Sequence, residues 1–275
     1  MSRWISIPAS RWQVSERMST LGDAIVCITG ASSGIGAACA AAFARMGAAL
    51  LLVARRKTRL DELARQLAAE HRVRISTAEV DVRKQAEVEN FFSSLGPDWR
   101  DIDILVNNAG LSRGLQKLHE GRIDDWEEMI DTNVKGLLYV TRAVLPRMVE
   151  RNKGHVINIG SLAGHQTYPG GNVYSATKFA VTGLTRSLKK DLLGTAVRVS
   201  SVDPGLVETE FARVRFRGDA ERAAKTYEGM KPLTGEDVAE VVLFCATRPP
   251  HVNVCEVLFT PVDQASATMV HRKSS

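Results

Sequence analysis

Features that would mark several other classes of protein are missing from this 275-residue chain. No apolar run approaches the roughly 18 to 20 residues that a membrane-spanning helix needs, so no membrane association is expected. The four cysteines form no CxxC pair and the six histidines are isolated in the sequence, so no metal site is predicted. The net charge is +5, but the basic residues are scattered rather than clustered, which argues against a nucleic-acid partner.

Two of the cysteines bear on the cellular compartment. Cys27 lies in an apolar strand-like run and Cys39 in an alanine-rich helical run, so both are interpreted as reduced core residues. Disulfides are rare in reducing compartments, and a cytoplasmic location is therefore expected. Residues 1–20 contain no continuous apolar segment of the kind found in secretory signals, and we interpret them as an N-terminal extension of unknown role.

From residue 21 onward two patterns alternate. Nearly continuous apolar runs predict strands buried on both faces, and longer stretches with helical periodicity separate them. The predicted strands are 24–29, 49–54, 73–80, 102–107, 155–159, 196–202 and 254–259, and the predicted helices are 34–46, 57–70, 84–95, 123–150, 173–193 and 235–247. Parallel strands need such crossovers. The pattern predicts an α/β fold over 21–275: a single-domain, Rossmann-type doubly wound parallel sheet of about seven strands with helices on both faces.

Segment 205–231 departs from this alternation. It follows a predicted strand, carries many charges and has weak apolar periodicity. Ligands of open α/β sheets bind beyond the carboxyl ends of the strands, so we predict that this segment is a lid. An irregular surface insertion is the alternative.

A glycine-rich turn follows the first predicted strand directly, and a helix opens within it. The turn consists of Gly30, Ala31, Ser32, Ser33, Gly34, Ile35 and Gly36. Glycines allow a pyrophosphate to approach the backbone closely, and the helix start offers unpaired N–H groups and the positive end of its dipole. In this context the turn predicts a dinucleotide site. Its spacing resembles the TGxxxGIG signature of the short-chain dehydrogenase/reductase family, which binds its coenzyme across this half of the fold.

The residues after the second predicted strand indicate which dinucleotide binds. No Asp or Glu occupies positions 53–57, where Arg55 and Arg56 stand instead. A carboxylate here would accept a hydrogen bond from the ribose of NAD but would repel the 2′-phosphate of NADP, which arginine grips bidentately. The predicted cofactor is therefore NADP, held by Arg55 and Arg56 with help from Ser32 or Ser33.

The family resemblance implies further coenzyme contacts. Asp81 and Val82 would contact the adenine, and Asn108 belongs to an NNAG motif that lies beside the coenzyme in the family. The nicotinamide end would be contacted by Pro204, Gly205, Val207 and Thr209. Asn and Gly also serve ordinary turn formation at strand ends, which is the alternative for the NNAG residues.

The predicted acid–base pair is Tyr174 and Lys178, which are four residues apart and share one helix face. A tyrosine pKa is ordinarily about 10, and burial raises it. An ammonium about 4 Å away, at an effective dielectric near 20, offsets roughly 4 kcal/mol, or about 3 pKa units. The pair is therefore predicted to exchange a proton with the substrate, and Lys178 can also hold the nicotinamide ribose.

Two further residues complete a catalytic group. Ser161 ends the fifth predicted strand, and its hydroxyl could hold the substrate oxygen beside Tyr174. Asn133, in the predicted helix 123–150, could anchor a water that relays protons to Lys178. Together the four residues match the family's Asn-Ser-Tyr-Lys tetrad position by position, and this match implies their catalytic roles. A surface Tyr–Lys pair is the alternative.

The stretches GTAVRVSSVDPGLVETEF and HVNVCEVLFTPVDQ, among others, resemble the NADP-dependent 3-hydroxy acid dehydrogenases over about residues 24–272. That group includes serine 3-dehydrogenases and L-allo-threonine dehydrogenases. The resemblance implies that a short 3-hydroxy acid and its carbonyl form are interconverted, with Ser161 and Tyr174 as substrate contacts. The acid group needs a cation or N–H donors. Candidates are Arg113, Arg213, Arg215, Arg217 and His165.

Several alternatives stay open at this point. Another carbonyl compound, such as a sulfonated aldehyde, a 3-oxoacyl ester, a sugar or a hydrophobic ketone, could be the substrate. A non-catalytic cofactor sensor is a further alternative, although it would not need the tyrosine acid. The family resemblance also implies a homotetramer or homodimer, with Gly136, Leu137, Tyr139 and Val140 partly at the interface; the alternative is that they pack against the sheet.

Overall fold

Seven parallel strands form one sheet in the computed structural model, which describes residues 21–22 and 24–273. The predicted extension at 1–20 lies outside the described residues. The strands are β1 (Ile25–Thr29), β2 (Ala49–Ala54), β3 (Ile75–Glu79), β4 (Ile104–Asn107), β5 (Gly154–Ile159), β6 (Val197–Pro204) and β7 (Glu256–Phe259). Their order in the sheet is β3-β2-β1-β4-β5-β6-β7. The direction of winding reverses between β1 and β4, which opens a crevice at the carboxyl ends of the strands.

Helices connect the strands and cover both faces of the sheet. They are α1 (Gly34–Arg45), α2 (Lys57–His71), α3 (Gln85–Ser93), α4 (Ile123–Ile130), α5 (Leu137–Glu150), α6 (Asn172–Asp191), α7 (Glu210–Arg215), α8 (Ala220–Lys225) and α9 (Gly235–Ala246). Short 3₁₀ turns lie at Leu118–Glu120 and Leu162–Gly164. Within the described residues, no helix combines the length and the apolar character that crossing a membrane requires.

Alternate residues of the buried strands supply two separate cores. On one face, Ile28 and Leu50 pack with Phe43 of α1 and with residues of α2 and α9. On the other face, Cys27 and Leu51 pack with residues of α3, α5 and α6. Because both faces are covered, the central strands are largely apolar, as the sequence pattern indicates, and Asn107, His155 and Asn158 are buried polar exceptions.

The predicted α/β fold is confirmed, and no predicted end of a strand or helix differs from the observed one by more than two residues. The expected single helix over 123–150 is divided, however. A π-helical turn, Asp131–Gly136, separates α4 from α5 and accommodates an extra residue in the helical ladder. Turns of this kind are frequent at functional sites, and this one carries Asn133.

Candidate active site

A cleft of about 690 Å³ lies at the carboxyl ends of the strands. Every residue predicted from the sequence to contact the coenzyme lines it except Ala31 and Gly36, and Ser161 and Arg215 line it as well. Asn133 does not line it, nor do the other four candidates for binding the substrate acid group, which are Arg113, His165, Arg213 and Arg217. The segment 205–231, predicted to be a lid, supplies α7 and several of the lining residues. Residues far apart in the sequence are thus brought together, as expected where parallel strands end at one edge of a sheet.

Three glycines of the turn after β1 are required by close contacts. Gly30 has φ +65°, and a Cβ there would lie 2.9 Å from the Ala109 Cα. Gly34 has φ +54° and faces Thr209. A Cβ at Gly36 would lie 2.5 Å from both the Asn108 Nδ2 and the Gly30 carbonyl oxygen. The turn therefore packs against the end of β4 and the start of the predicted lid, with its backbone exposed to the cleft.

Asn108 ties this turn to β4. Its Nδ2 donates to the carbonyl oxygens of Thr29 and Gly30, at 2.9 and 3.2 Å. Its backbone N–H donates to the Thr29 hydroxyl at 3.0 Å. Asn108 therefore fixes the shape of the turn, in addition to lining the cleft.

The cations predicted to grip a phosphate stand at the end of β2. Arg56 donates from Nε to the Ser32 hydroxyl at 3.1 Å and from Nη2 to the Ser33 hydroxyl at 2.6 Å. Its Nη1 donates to Glu210 of α7 at 2.8 Å. Arg55 lines the same end of the cleft and makes no ion pair among residues 21–22 and 24–273. The four residues named by the sequence prediction therefore converge, with Glu210 as an additional partner.

Asp81 and Val82 form the neighbouring wall of the cleft. Burial alone would raise the pKa of Asp81, but hydrogen bonds from the Arg83 side chain and backbone outweigh this effect and lower the pKa overall. The Asp81 carboxylate accepts from Arg83 Nε at 2.9 and 3.0 Å. The carboxylate is thus directed to Arg83, while Val82 presents an apolar surface.

Tyr174 lies near the start of α6 and is 8% exposed. Burial raises the pKa of its phenol, while the positive charge of Arg215 and a hydrogen bond with the Ser161 side chain lower it and offset part of the rise. The Arg215 guanidinium lies 5.4 Å from the centre of the Tyr174 ring. The sequence predicts that Lys178 supplies the main charge beside this phenol; in the structure, Arg215 exerts that effect.

Lys178 is buried one turn further along α6. Its ammonium donates to the Ile159 carbonyl oxygen at 2.9 Å and lies 6.0 Å from the centre of the Tyr174 ring. Burial lowers the pKa of Lys178 to about 8, and the Asp203 carboxylate opposes this shift. Lys178 can therefore gain or lose a proton near neutral pH, and it lines the cleft beside Tyr174.

Ser161 follows β5 and caps the 3₁₀ turn Leu162–Gly164, where its hydroxyl oxygen accepts from the Ala163 N–H at 3.1 Å. This bond leaves the hydroxyl proton available toward the cleft, because a hydroxyl both donates and accepts. Ser161 is thus held beside Tyr174 by the local backbone.

Asn133 is 2% exposed, and its side chain makes three hydrogen bonds. The Oδ1 accepts from the Leu111 N–H at 2.8 Å, and the Nδ2 donates to the Leu111 carbonyl oxygen at 2.8 Å and the Thr177 hydroxyl at 3.0 Å. The side chain therefore ties the loop after β4 to α6.

The five candidates for a substrate acid group differ sharply in their surroundings. Arg113 is paired with Glu128, at 2.7 Å. Arg217 is paired with the buried Asp125. Arg213 is exposed and does not line the cleft. Arg215 does line it, and its Nη2 donates to the Tyr168 hydroxyl at 3.1 Å.

The fifth candidate, His165, does not line the cleft. Its Nε2 lies 3.1 Å from the buried Asp203, and its Nδ1 lies 3.9 Å from Glu256. Within the part of the chain that the structure describes, these three residues are the only group with metal-ligand spacing. The Nε2 is within hydrogen-bond distance of Asp203, whereas 3.9 Å between Nδ1 and Glu256 is too long for a hydrogen bond.

The segment after β6 borders the end of the cleft at which the sequence predicts the nicotinamide. Gly205 is held by a bond from its N–H to the Phe259 carbonyl oxygen at 2.8 Å. Val207 forms a parallel bridge with Leu233. The Thr209 hydroxyl caps α7 by accepting from the Phe211 N–H at 3.2 Å. These contacts place α7 over the cleft.

Similarity to known proteins now identifies the family. Residues 24–220 match the family model described as short chain dehydrogenase. The chain belongs to the short-chain dehydrogenases. It is 52% identical over 250 residues to the NADP-dependent 3-hydroxy acid dehydrogenase YdfG of Salmonella typhi, an alignment that covers 90% of this chain and 99% of that relative.

Two other relatives extend the comparison. Sulfoacetaldehyde reductase 2 of Chromohalobacter salexigens is 46% identical over 250 residues, covering 90% of this chain and 98% of that relative. The closed form of serine dehydrogenase complexed with NADP+ superposes with a TM-score of 0.85 at 49% identity, covering 90% of this chain and 100% of that one. The reaction of this short-chain dehydrogenase is thus an oxidoreduction at a CH–OH group of a small molecule.

Several residues that line the cleft of this short-chain dehydrogenase are not predicted from the sequence. Phe211 packs edge-on against Tyr174, at 5.5 Å between ring centres. Tyr168 accepts from Arg215, and Glu210 reaches Arg56. The C-terminal segment contributes Gln264, whose Oε1 accepts from the Leu206 N–H at 2.8 Å. None of these positions carries a local sequence signal, because their roles arise from contacts across the cleft.

Proposed function

We propose that this chain is an NADP(H)-dependent dehydrogenase that interconverts a short 3-hydroxy acid, of the L-serine or L-allo-threonine type, and its carbonyl form. The observation that carries the proposal is the position of Tyr174, which lines the cleft together with Ser161 and has the Arg215 guanidinium 5.4 Å from the centre of its ring. A proton donor, an oxygen-binding hydroxyl and an anion-binding cation thus face one site. The names of the relatives support this substrate class.

The residues of the cleft fit NADP. The glycine turn leaves backbone N–H groups open to a pyrophosphate, as helix starts do in dinucleotide sites. Ser32, Ser33, Arg55 and Arg56 would hold the 2′-phosphate, and Asp81 and Val82 would border the adenine. No acidic residue of β2 or of the turn that follows it competes with a phosphate. At the other end, Lys178 would hold the nicotinamide ribose, and Pro204, Gly205, Val207 and Thr209 would border the nicotinamide.

The chain's own groups carry the proton chemistry. When bound, NADPH supplies the hydride for the carbonyl carbon. Tyr174 gives its phenolic proton to the carbonyl oxygen, and the Ser161 hydroxyl donates a hydrogen bond to that same oxygen. In the oxidative direction the phenolate accepts the proton of the substrate alcohol. Arg215 and the Lys178 ammonium favour the phenolate because both are positive.

Lys178 and Asn133 support the proton transfer by Tyr174. The Lys178 ammonium, fixed by the Ile159 carbonyl, can return a proton toward Tyr174 after each turnover. Asn133 positions α6 through Thr177, and this residue would anchor the relay water. Removing Asn133 would therefore disturb both the loop after β4 and the helix that carries Tyr174.

The substrate class depends on Arg215. A carboxylate next to the reacting carbon needs a cation, and Arg215 is the candidate that lines the cleft without a carboxylate partner among the described residues. Because a sulfonate presents the same charge, sulfoacetaldehyde is the second candidate substrate, and one relative bears the name of such a reductase.

We also propose a homotetramer or homodimer in the cytoplasm. Gly136, Leu137 and Val140 are buried within this chain, whereas Leu138 of α5 and Phe179 of α6 are 41% and 44% exposed. The exposed pair is a better candidate for the contact between subunits. The free buried thiols of the core support a reducing compartment.

A coenzyme-linked activity panel tests the function. Purified protein is assayed with NADP+ or NAD+ on L-serine, L-allo-threonine and 3-hydroxypropionate, and with NADPH or NADH on malonic semialdehyde, sulfoacetaldehyde and simple ketones. We expect NADP(H)-dependent turnover of the acids, with Tyr174→Phe as the inactive control. Turnover of uncharged ketones alone would contradict the proposed substrate class, and no turnover with any compound would contradict the proposal as a whole.

A further inference from the structure

The carboxylate of Glu210 bridges two arginines across the coenzyme end of the cleft. It lies 2.8 Å from Arg56 Nη1 and 2.7 Å from Arg59 Nη1. Hydrogen bonds from Arg56 and then Arg59 lower the pKa of Glu210 to about 2. The carboxylate is therefore charged at neutral pH and neutralises part of the positive charge at the end of β2.

The same arginine is the centre of the predicted phosphate site. Each of the three nitrogens of Arg56 already donates a hydrogen bond, to Ser32, to Ser33 and to Glu210. A phosphate that took up bidentate bonds from Arg56 would bring its own negative charge beside that of Glu210. Two anions on one guanidinium repel each other, so phosphate and carboxylate cannot both bind it at full strength.

Glu210 also belongs to the segment that covers the substrate. It is the first residue of α7, directly after Thr209, which packs on Gly34. The next residue, Phe211, packs on Tyr174, and Arg215 ends the same helix. The contact between Glu210 and the arginines therefore joins the coenzyme end of the cleft to the helix that borders the substrate end.

We propose that Glu210 is a specificity-determining residue for the coenzyme, a carboxylate that competes with the 2′-phosphate of NADP(H) for Arg56 and Arg59. The proposal rests on the proposed function, since it takes NADP(H) as the coenzyme. Binding of the phosphate weakens the ion pairs of Arg56 and Arg59 with Glu210, which join the start of α2 to the start of α7. A coenzyme without the phosphate leaves the contact intact, so only NADP(H) acts on the helix that carries Phe211 and Arg215.

A supporting role of Glu210 in phosphate binding would predict the opposite effect of its removal. If Glu210 served to hold Arg56 in a phosphate-binding pose, its removal would weaken the binding of a 2′-phosphate. If it competes, its removal strengthens that binding. The direction of the change therefore decides between the two roles.

The test measures binding without turnover. Isothermal titration of the full chain with adenosine 2′,5′-bisphosphate, which carries the 2′-phosphate, is compared with titration by 5′-AMP, which lacks it. Glu210→Gln is expected to bind the bisphosphate about threefold or more tightly than the unaltered chain, since one repelling charge several ångströms away is removed. Its affinity for 5′-AMP is expected to stay the same. Because Glu210 and Arg56 are about 40% exposed, the gain should shrink as salt is raised.

Glu208→Gln is the matched control. Glu208 is an exposed carboxylate two residues away, outside the cleft and without an ion pair within 24–273. This variant tests whether the loss of any nearby negative charge gives the same gain in affinity for the bisphosphate. Thermal melting of both variants confirms that they are folded.

Each outcome has a defined meaning. Weaker or unchanged binding of the bisphosphate by Glu210→Gln, an equal gain for 5′-AMP, or an equal gain in Glu208→Gln overturns the proposal for Glu210. Equal affinity of the unaltered chain for the bisphosphate and 5′-AMP contradicts the NADP preference in the proposed function instead. The two failures are therefore distinguishable.

Discussion

The Arg215 guanidinium lies 5.4 Å from the centre of the Tyr174 ring and 5.1 Å from that of Phe211, and it donates to the Tyr168 hydroxyl at 3.1 Å. Its Nε is buried without a hydrogen-bond partner among the described residues. Arg215 is thus positioned by three aromatic residues, and its Nε–H donor has no partner in the described part of the chain. It is therefore a suitable anchor for a substrate carboxylate beside the Tyr174 phenol.

Arg215→Gln should therefore discriminate between charged and uncharged substrates. A charge-assisted hydrogen bond contributes about 1.5–3 kcal/mol, so kcat/KM for a 3-hydroxy acid should fall by roughly tenfold to a hundredfold. Turnover of a short uncharged aldehyde should fall less. Steady-state kinetics on the two substrates measures the difference.

Arg213→Gln is the control for Arg215→Gln, because Arg213 lies on the same helix but is exposed and outside the cleft. It should leave both substrates unaffected. An equal loss on acid and uncharged substrates in Arg215→Gln would show that Arg215 maintains the fold of α7 rather than binding the acid group.

Tyr174→Phe should retain coenzyme binding and lose most turnover. The substitution removes only the hydroxyl, so packing against Phe211 remains. Loss of a general acid costs about 10²- to 10⁴-fold in rate. NADPH fluorescence titration should give nearly the same Kd as for the unaltered chain, while kcat falls. A kcat within about threefold of normal would exclude Tyr174 as the proton donor.

Most of the fold was predictable because it depends on local periodicity. Buried parallel strands are largely apolar, and the crossovers between them show helical spacing, so both kinds of element leave a signal in the sequence. The π-helical turn at Asp131–Gly136 does not, since the same residues satisfy an ordinary helix. Its cause is tertiary: Asn133 is tied to Leu111 and Thr177 on neighbouring elements.

The site was predictable to the extent that its residues follow strand ends or share a helix face. Motif spacing groups Ser161, Tyr174 and Lys178, and in the structure all three line the cleft. It could not distinguish Arg215 from the other candidate arginines, because pairing of Arg113 with Glu128 depends on contacts between distant segments. For the same reason the sequence held no sign of the contact between Glu210 and Arg56.

Arg55→Asp should weaken the binding of NADPH far more than that of NADH. Arg55 lines the coenzyme end of the cleft beside Arg56. An aspartate there replaces attraction of the 2′-phosphate by repulsion, whereas it can accept from the ribose hydroxyl of NADH. Fluorescence titration of each coenzyme measures the ratio, and an equal loss for both would refute the assignment. Arg45→Asp, at the exposed end of α1, controls for the change in net charge.

Gly36→Ala should destabilise the chain, because its Cβ would lie 2.5 Å from the Asn108 Nδ2 and the Gly30 carbonyl oxygen. Overpacking of this kind costs about 1–3 kcal/mol. The free energy of unfolding in urea measures the loss. Gly96→Ala, where nothing lies within 4 Å of the added Cβ, should be neutral or slightly stabilising. Equal stability of the two variants would contradict the close packing of the turn.

The pH dependence of turnover should reflect Lys178. Burial lowers its pKa to about 8, and the charge of Asp203 opposes the shift. The ammonium is present below this pH and lost above it, so reduction should decline as pH rises through about 8. Asp203→Asn removes the opposing charge and should move the decline to lower pH. Glu256→Gln, on the far side of His165, should leave it in place. A decline that does not move in Asp203→Asn would show that another group controls the alkaline limb.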